Sequence, residues 1–196
     1  MVYGHALIDA QVYLLQYIPA NTRVLMVGGG TGWILEELTK IHPSGLEITY
    51  VEVAADMMAL SKKRNIGNNK VVFINDAIEN VNLVACFDVV ITPFLFDNFT
   101  KASTEKVFNH IHQLLKFQGA WLNADFQLTG KWWQMALLRS MFLFFRVLCR
   151  IEASKLPNVE NNFELQGYKV VAEKTFYGNF IISKAYRRDA MHRVSR

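Results

Sequence analysis

The stretch VLMVGGGTGW, from Val24 to Trp33, places four apolar residues directly before a segment with glycine at positions 28, 29, 30 and 32. Glycine loses more conformational entropy on folding than any other residue, so four glycines within five positions need a structural reason. One reason is that a backbone without side chains lets another molecule approach closely. A tight turn that binds nothing is the alternative, but one glycine would be sufficient for it. The stretch therefore favours a binding turn between a strand and a helix.

Segments that predict strands alternate with segments that predict helices along most of the chain. The runs VLMV, VVFI and DVVIT are apolar throughout, as expected for parallel strands covered on both faces. Helices of about ten residues between strands indicate βαβ units, and Tyr177-Gly178 predicts a hairpin near the C-terminus. We predict strands at 23–27, 46–52, 71–74, 87–92, 120–124, 168–176 and 179–186, and helices at 5–18, 31–42, 55–65, 104–116 and 132–151.

The composition is that of one globular domain. Of the 196 residues, 52% are hydrophobic and 19% are charged, which excludes a disordered chain. We expect a single domain over residues 1–186 and a flexible basic tail over residues 187–196. Without the four arginines and one aspartate of that tail, the totals of 21 basic and 17 acidic residues become 17 and 16. The body is therefore near neutral, and no nucleic-acid partner is expected.

The start of the chain and its cysteines favour a cytoplasmic protein. No basic segment followed by an apolar run opens the sequence, so no secretory signal is predicted. Cys86 and Cys149 form no paired-spacing motif, which indicates reduced thiols. The five histidines show no metal-ligand spacing, and no metal is expected.

Residues 132–151 are apolar and about as long as a membrane span. However, Arg139, Arg146 and Arg150 are seven and four residues apart, so they share one helical face. Each arginine would cost roughly 2.5–3.5 kcal/mol in a bilayer, which favours an amphipathic helix over a transmembrane one. The sequence leaves open what covers its apolar face: the core, a lipophilic pocket, a second copy in a homodimer, or a membrane surface contacted peripherally.

The glycine spacing separates two kinds of nucleotide-binding turn. The dinucleotide pattern G-x-G-x-x-G would place Trp33 at its third small residue, where an indole prevents close helix–strand packing. The pattern Gly28-x-Gly30-x-Gly32 fits without exception. The chain also contains no Y-x-x-x-K motif, so an NAD(P)-dependent oxidoreductase is disfavoured.

With this glycine pattern, the chain resembles the class I S-adenosylmethionine-dependent methyltransferases. The first strand and turn of that family, V-L-D/E-x-G-x-G-x-G, match VLMVGGGTG except at Met26. The segments ITYVE, VAADMM, VVFINDA and LLKFQGAWL are similar to later motifs of the family, with Gln118 in place of a glycine. The resemblance implies an α/β fold with a Rossmann-like, doubly wound, mostly parallel seven-stranded sheet and an antiparallel C-terminal strand pair. It also implies S-adenosylmethionine as the cofactor.

The resemblance assigns roles to residues at consecutive strand ends. Glu52 would bind both ribose hydroxyls, Met57 would pack on the adenine, and Asp76 would accept from the adenine amino group. A carboxylate can accept from two hydroxyls at once, which supports Glu52 on chemical grounds alone. The expected cofactor-binding residues are Gly28, Gly29, Gly30, Gly32, Glu52, Val53, Met57, Asp76, Ala77 and Thr92.

Several of these residues also have a purely structural interpretation. Glu52 could be a solvated strand-end residue, Asp76 the cap of the next segment, and Met57 a core residue. Met26 stands where the family has an acid that helps to orient the methionine part of the cofactor. Either another group, such as Asp125, replaces that acid, or the affinity for the cofactor is lower.

The sequence identifies no general base, which methyl transfer requires only where the acceptor loses a proton. His5 and Tyr3 are weak candidates for that role. Thr92-Pro93-Phe94 lacks the N/D-P-P-Y/F pattern of amino-methyltransferases, so we expect transfer to oxygen or carbon.

Three aromatic residues, Phe96, Trp132 and Trp133, are expected to line the acceptor pocket. Such a pocket suits a small, fairly hydrophobic substrate. The alternative from another functional class is a non-catalytic S-adenosylmethionine-binding or assembly protein with the same fold.

Overall fold

The computed structural model describes residues 5–84, 86–149 and 156–188. The helices in these ranges are α1 (Ala6–Leu15), α2 (Trp33–Ile41), α3 (Ala55–Ser61), α4 (Lys101–Leu114), α5 (Trp132–Cys149) and α6 (Val159–Leu165). The strands are β1 (Arg23–Val27), β2 (Ser44–Val51), β3 (Asn68–Ile74), β4 (Phe87–Pro93), β5 (Leu115–Phe126), β6 (Tyr168–Phe176) and β7 (Ile181–Arg188).

The strands form one mixed sheet in the order β3-β2-β1-β4-β5-β7-β6. Strands β1 to β5 pair in parallel, and β7 runs antiparallel to both β5 and β6. The strand order reverses between β1 and β4, where open α/β sheets bind their ligands. The predicted α/β class, the seven-stranded sheet and the antiparallel C-terminal pair are confirmed.

Two hydrophobic layers cover the sheet, because successive side chains of a strand point to opposite faces. Leu25 and Val27 of β1 lie in the layer that also contains buried residues of α4 and α6. Val24 and Met26 lie in the opposite layer, with buried residues of α1, α2 and α3. This double coverage explains why the central strands are apolar at every position.

The structure differs from the sequence-based boundaries at several elements. Strand β5 begins at Leu115, directly after α4, and is longer than predicted. Helix α6 was not predicted; the Asn158 side chain caps it by accepting a hydrogen bond from Asn161 N at 3.4 Å. Between β3 and β4 the described residues form one short 3-10 turn, Ile78–Asn80, and no α-helix.

Helix α5 confirms the predicted helix as far as Cys149. Of the predicted basic stripe, Arg139 is exposed, whereas the Arg146 side chain and Arg150 lie outside the described part of the chain, as do Tyr3 and residues 189–196. No helix within the described ranges combines the length and the apolar character that a membrane crossing requires.

His112 of α4 generates a prediction about stability. Its Nδ1 lies 3.1 Å from the Tyr168 hydroxyl, and partial burial together with the positive charge of Arg188 lowers the pKa of His112 to about 4. Unfolding returns this pKa to about 6.5, so between these values the unfolded state binds more protons. The free energy of unfolding should therefore fall as pH falls from about 6.5 to about 4.

We expect His112→Gln to remove this dependence, since glutamine does not titrate. Urea denaturation of both proteins between pH 7.5 and pH 4.5 measures it. The wild-type protein should lose about 1–2 kcal/mol more than the variant over this range. Parallel pH profiles would contradict the assignment.

Candidate functional site

The glycine segment forms a turn at the carboxyl end of β1. Gly28 N donates to Val51 O at 2.9 Å, which joins the start of the turn to the end of β2. Gly28, Gly30 and Gly32 have φ values of +73°, +62° and +74°, a region that side chains disfavour. Gly32 is the residue that precedes α2. The turn therefore requires glycine at these three positions for its backbone conformation.

Gly29 is required for a different reason, which is the packing of Tyr50 under the turn. A Cβ atom at Gly29 would lie 2.5 Å from the hydroxyl oxygen of Tyr50. That hydroxyl donates to Gly30 O at 2.9 Å, and burial raises the pKa of Tyr50, so the group remains a donor. Tyr50 was not predicted from the sequence, although its position two residues before Glu52 was the available signal.

The space beside Gly30 is open. A Cβ atom added there would meet no atom within 4 Å, in contrast to Gly29 and Gly32. The turn is thus packed against Tyr50 at Gly29 and against Ser61 at Gly32, but not at Gly30. An exposed glycine backbone at the start of a helix is a site that anionic and polar groups can approach closely.

Glu52 follows β2 and faces the turn. Its Oε2 accepts a hydrogen bond from Gly30 N at 2.9 Å, and its Oε1 accepts from Ala54 N at 2.9 Å. The residue is 8% exposed, so it is not the solvated strand-end residue of the structural alternative. Each carboxylate oxygen keeps capacity for a second hydrogen bond, which is the chemistry needed to hold two neighbouring hydroxyls.

The end of β3 is joined to the same region. Asn75 Nδ2 donates to Glu52 O at 2.7 Å and to Val53 O at 3.1 Å. Asp76 is exposed, and its Oδ1 accepts from Ala77 N at 2.7 Å and from Asn80 Nδ2 at 2.8 Å. Ala77, not Asp76, is the N-cap of the following 3-10 turn, and Asp76 uses only one of its two oxygens in these contacts. An adenine contact through the other oxygen stays a prediction.

Two further residues expected at the cofactor have accessible side chains. Met57 is 42% exposed and Val53 is also exposed, so neither is a core residue. Their contact with adenine stays a prediction, as does that of Ala77.

Met26 lies in the core, not at the turn. Its side chain is fully buried in the layer formed with α1, α2 and α3. Asp125 lies at the end of β5, two strands away. Its neighbour Ala124 packs in the layer of Met26, so alternation places Asp125 on the other face. The structure therefore does not bring Asp125 to the place of the missing acid.

Thr92 is fully buried in a network of side chains. Its hydroxyl donates to Asn123 Oδ1 at 2.7 Å and accepts from Trp121 Nε1 at 2.9 Å. This network fixes the ends of β4 and β5 to each other. The Thr92 side chain is thus engaged within the protein, which departs from its expected role at the cofactor.

The structure does not bring the three predicted pocket residues together. Phe96 is fully buried and packs against Phe108 and Trp121, with ring centroids 6.2 and 6.3 Å apart. Trp132 is 81% exposed, and Trp133 packs edge-on against Phe180. Phe96 faces the core because it forms a short 3-10 turn under α4, which the sequence pattern did not reveal.

Two carboxyl groups are buried near the ends of β4 and β5: that of Asp97, which follows β4, and that of Asp125, which lies in β5 directly before Phe126. Burial, and then repulsion by Asp125, raise the pKa of Asp97 well above its ordinary value. Burial raises the pKa of Asp125 to about 7, although a hydrogen bond from Phe126 N at 2.9 Å opposes this. Within the described ranges, no cluster of three potential metal ligands is present.

Comparisons with known proteins find a methyltransferase domain in this chain. Residues 24–119 match the model of a family described as a methyltransferase domain. Malonyl-[acyl-carrier protein] O-methyltransferase from Bacillus cereus is 32% identical over 107 residues, which cover 55% of this chain and 38% of that protein. The chain thus spans about two fifths of the length of this curated relative.

Two solved structures show the same fold. Mitomycin 7-O-methyltransferase has a TM-score of 0.71 and 15% identity, with coverage of 94% of this chain and 54% of that one. Magnesium protoporphyrin IX methyltransferase from Synechocystis PCC 6803, solved with bound SAH, has a TM-score of 0.68 and 12% identity, with coverage of 93% and 82%.

We expect Tyr50→Phe to destabilise the protein by about 1–2 kcal/mol, because Gly30 O would lose its buried donor while the ring keeps its packing. Urea denaturation measures this change. Thr22→Val is the control for loss of a hydroxyl donor, since the Thr22 hydroxyl donates to a backbone oxygen, Pro19 O, at an exposed position. The control should change the free energy of unfolding by less than about 0.5 kcal/mol. Equal losses in the two variants would contradict the role of Tyr50.

Proposed function

We propose that this chain is a class I S-adenosylmethionine-dependent methyltransferase, because residues 24–119 match a methyltransferase domain and solved methyltransferases share its fold. It binds S-adenosylmethionine and moves the methyl group to oxygen or carbon of a small, fairly hydrophobic acceptor. The observation that carries this proposal is the hydrogen bond from Gly30 N to Glu52 Oε2, which sets an acid beside an open glycine turn.

The residues present fit the adenosyl part of the cofactor. The backbone at Gly30 is open to a ligand, and the two oxygens of Glu52 are held in place by Gly30 N and Ala54 N. Met57 in α3 and Asp76 after β3 both have exposed side chains. In this proposal Glu52 holds the ribose hydroxyls, and Met57 and Asp76 contact the adenine.

When bound, S-adenosylmethionine supplies an electrophilic methyl group on a positively charged sulfur. The contribution of the protein is to align this group with the acceptor, which alone can remove much of the barrier. Tyr50 and Glu52 hold the turn from β2, and the Thr92 network holds the ends of β4 and β5. Alignment thus depends on side chains that the strand ends fix rigidly.

The acceptor assignment rests on chemistry near the strand ends and on the relatives. Phe94 and Phe126, at the ends of β4 and β5, pack with ring centroids 5.1 Å apart, and Phe94 is half-buried there. The B. cereus relative and the mitomycin enzyme are both named as O-methyltransferases. These observations support a fairly hydrophobic acceptor and favour oxygen among the two candidate atoms.

The wider expectations stay part of the proposal. They are a single domain over residues 1–186, a cytoplasmic location, no nucleic-acid partner, and a homodimer or peripheral membrane contact through α5. The exposed Trp132 and Met135 at the start of α5 support a contact of that kind.

Binding of S-adenosylhomocysteine by isothermal titration tests the site. We expect Glu52→Gln to bind at least about tenfold more weakly, because hydrogen bonds to a charged acceptor contribute about 1.5–3 kcal/mol. Glu47→Gln is the matched control on the same strand, where Glu47 forms exposed ion pairs with Arg23 and Lys70. That control should bind like the wild-type protein.

No binding by the wild-type protein would overturn the proposal. Binding without methyl transfer to a panel of phenols, quinones and fatty acids would support the non-catalytic alternative instead.

A further inference from the structure

A cavity of about 480 Å³ lies beside the carboxyl end of β5, outside the glycine turn. Side chains of β5 and β7 form its floor, and the segment that leads into α6 forms its wall. The apolar residues that line the cavity are Phe126, Leu128, Leu156, Pro157, Val159 and Ile182. Its volume and half-apolar lining suit a compact organic molecule.

Two nearly buried polar residues, Asn123 and Asp125, line this cavity. Asn123 is 7% exposed, and its Oδ1 accepts from Thr92, while its Nδ2 has no hydrogen-bond partner among the described residues. Asp125 is 9% exposed; Oδ1 accepts from Phe126 N, and Oδ2 accepts nothing from the described residues. A donor and an acceptor are therefore available to a molecule in the cavity.

The charged neighbours of Asp125 leave its carboxyl without a cation. Lys184 of β7 is bound to Glu160 of α6 at 2.8 Å, and the Tyr186 hydroxyl donates to the same Glu160 oxygen at 2.8 Å. Asp97, after β4, is the other acid that interacts with Asp125. The negative charge of Asp125 adds to burial in raising the pKa of Asp97, so the two acids do not ionise independently.

The position of Asp125 relative to the glycine turn follows from the strand register. Met26 pairs with Ile91, and Pro93 pairs with Ala124, so Gly28 and Asp125 lie at nearly the same level of the sheet. Strands β1 and β5 are separated by β4 alone, which makes their spacing about 10 Å. The glycine turn and the cavity therefore lie at the same edge of the sheet, about 10 Å apart across β4.

We propose that this cavity is the acceptor site and that Asp125 takes the proton of a phenolic hydroxyl there. This inference rests on the proposed function. As the acceptor O–H bond breaks, its proton goes to the Asp125 carboxylate. The oxygen electron pair forms the new O–CH₃ bond, the S–CH₃ bond breaks, and its electron pair stays on sulfur in S-adenosylhomocysteine.

The chemistry of the cavity selects this acceptor class. Asn123 Nδ2 donates to the acceptor oxygen, and Asp125 accepts from its O–H, so a hydroxyl satisfies both groups. A cation would find Asp125 partly protonated, and an anion would find no free cation among the described lining residues. A base that titrates near neutral pH is well matched to a phenol.

Binding of 7-hydroxycoumarin, followed by its fluorescence, tests the site with S-adenosylhomocysteine present. We expect Asp125→Asn to weaken this binding by about 10-fold or more, since a hydrogen bond to a charged acceptor is lost. The O-methyl compound 7-methoxycoumarin has no O–H, so its binding should not depend on Asp125. Asp88→Asn is the matched control at the opposite edge of the sheet, where Asp88 pairs with Lys116 at 2.7 Å.

Titration of the protein labelled with carboxyl-¹³C aspartate gives a second readout that needs no acceptor. We expect one carboxyl of the wild-type protein to titrate near neutral pH. In Asp125→Asn, the Asp97 carboxyl should titrate lower than in the wild-type protein, because its charged neighbour is gone.

The outcomes separate the two proposals. If S-adenosylhomocysteine does not bind the wild-type protein, the proposed function fails. If it binds, three results overturn only the inference about Asp125: no binding of 7-hydroxycoumarin, equal binding by Asp125→Asn, or no aspartate that titrates near neutral pH. Formation of 7-methoxycoumarin that falls at least about 100-fold in Asp125→Asn would support it.

Discussion

The peptide groups of Gly30 are held by two side chains of one strand, and the site depends on this arrangement. Gly30 N donates to Glu52, and Gly30 O accepts from Tyr50. Tyr50 and Glu52 are two residues apart, so they project from the same face at the end of β2. A glycine-rich turn has little conformational preference of its own, and these two contacts supply the preference that it lacks. The acid and the open backbone are therefore positioned by the same interaction.

Hydrogen bonds between side chains and neighbouring strands also fix the other strand ends of the parallel sheet. Parallel pairing brings the carboxyl ends of β1, β2, β3, β4 and β5 to one edge, where β1 ends in the glycine turn and the other strand ends carry polar side chains that bind a neighbour. Asn75 ties β3 to β2, and Thr92 ties β4 to β5 through Asn123. Both apolar layers lie below this edge, so its polar groups are fixed by packing that they do not themselves provide.

The fold could be predicted from the sequence because the apolar strands and the glycine pattern are local signals. The glycine turn and the position of Glu52 followed from the same signals, since Glu52 directly ends an apolar run. The predicted aromatic pocket failed because burial is not local: Phe96 faces Trp121 and Phe108, which are distant in sequence. Tyr50, Thr92 and Asn123 were missed or misassigned for the same reason, since their partners lie on neighbouring strands.

Glu52 and Asp125 lie at this edge in different surroundings, and these surroundings suit them to different roles. Glu52 accepts two backbone N–H groups, from Gly30 and Ala54, which hold both of its oxygens in position. Asp125 accepts one backbone N–H, and burial raises its pKa to about 7. A carboxylate held by both oxygens suits the binding of hydroxyls, whereas a buried carboxyl that exchanges a proton near neutral pH suits acid–base work. Binding and proton transfer are thus assigned to different strand ends by solvation and hydrogen bonding alone.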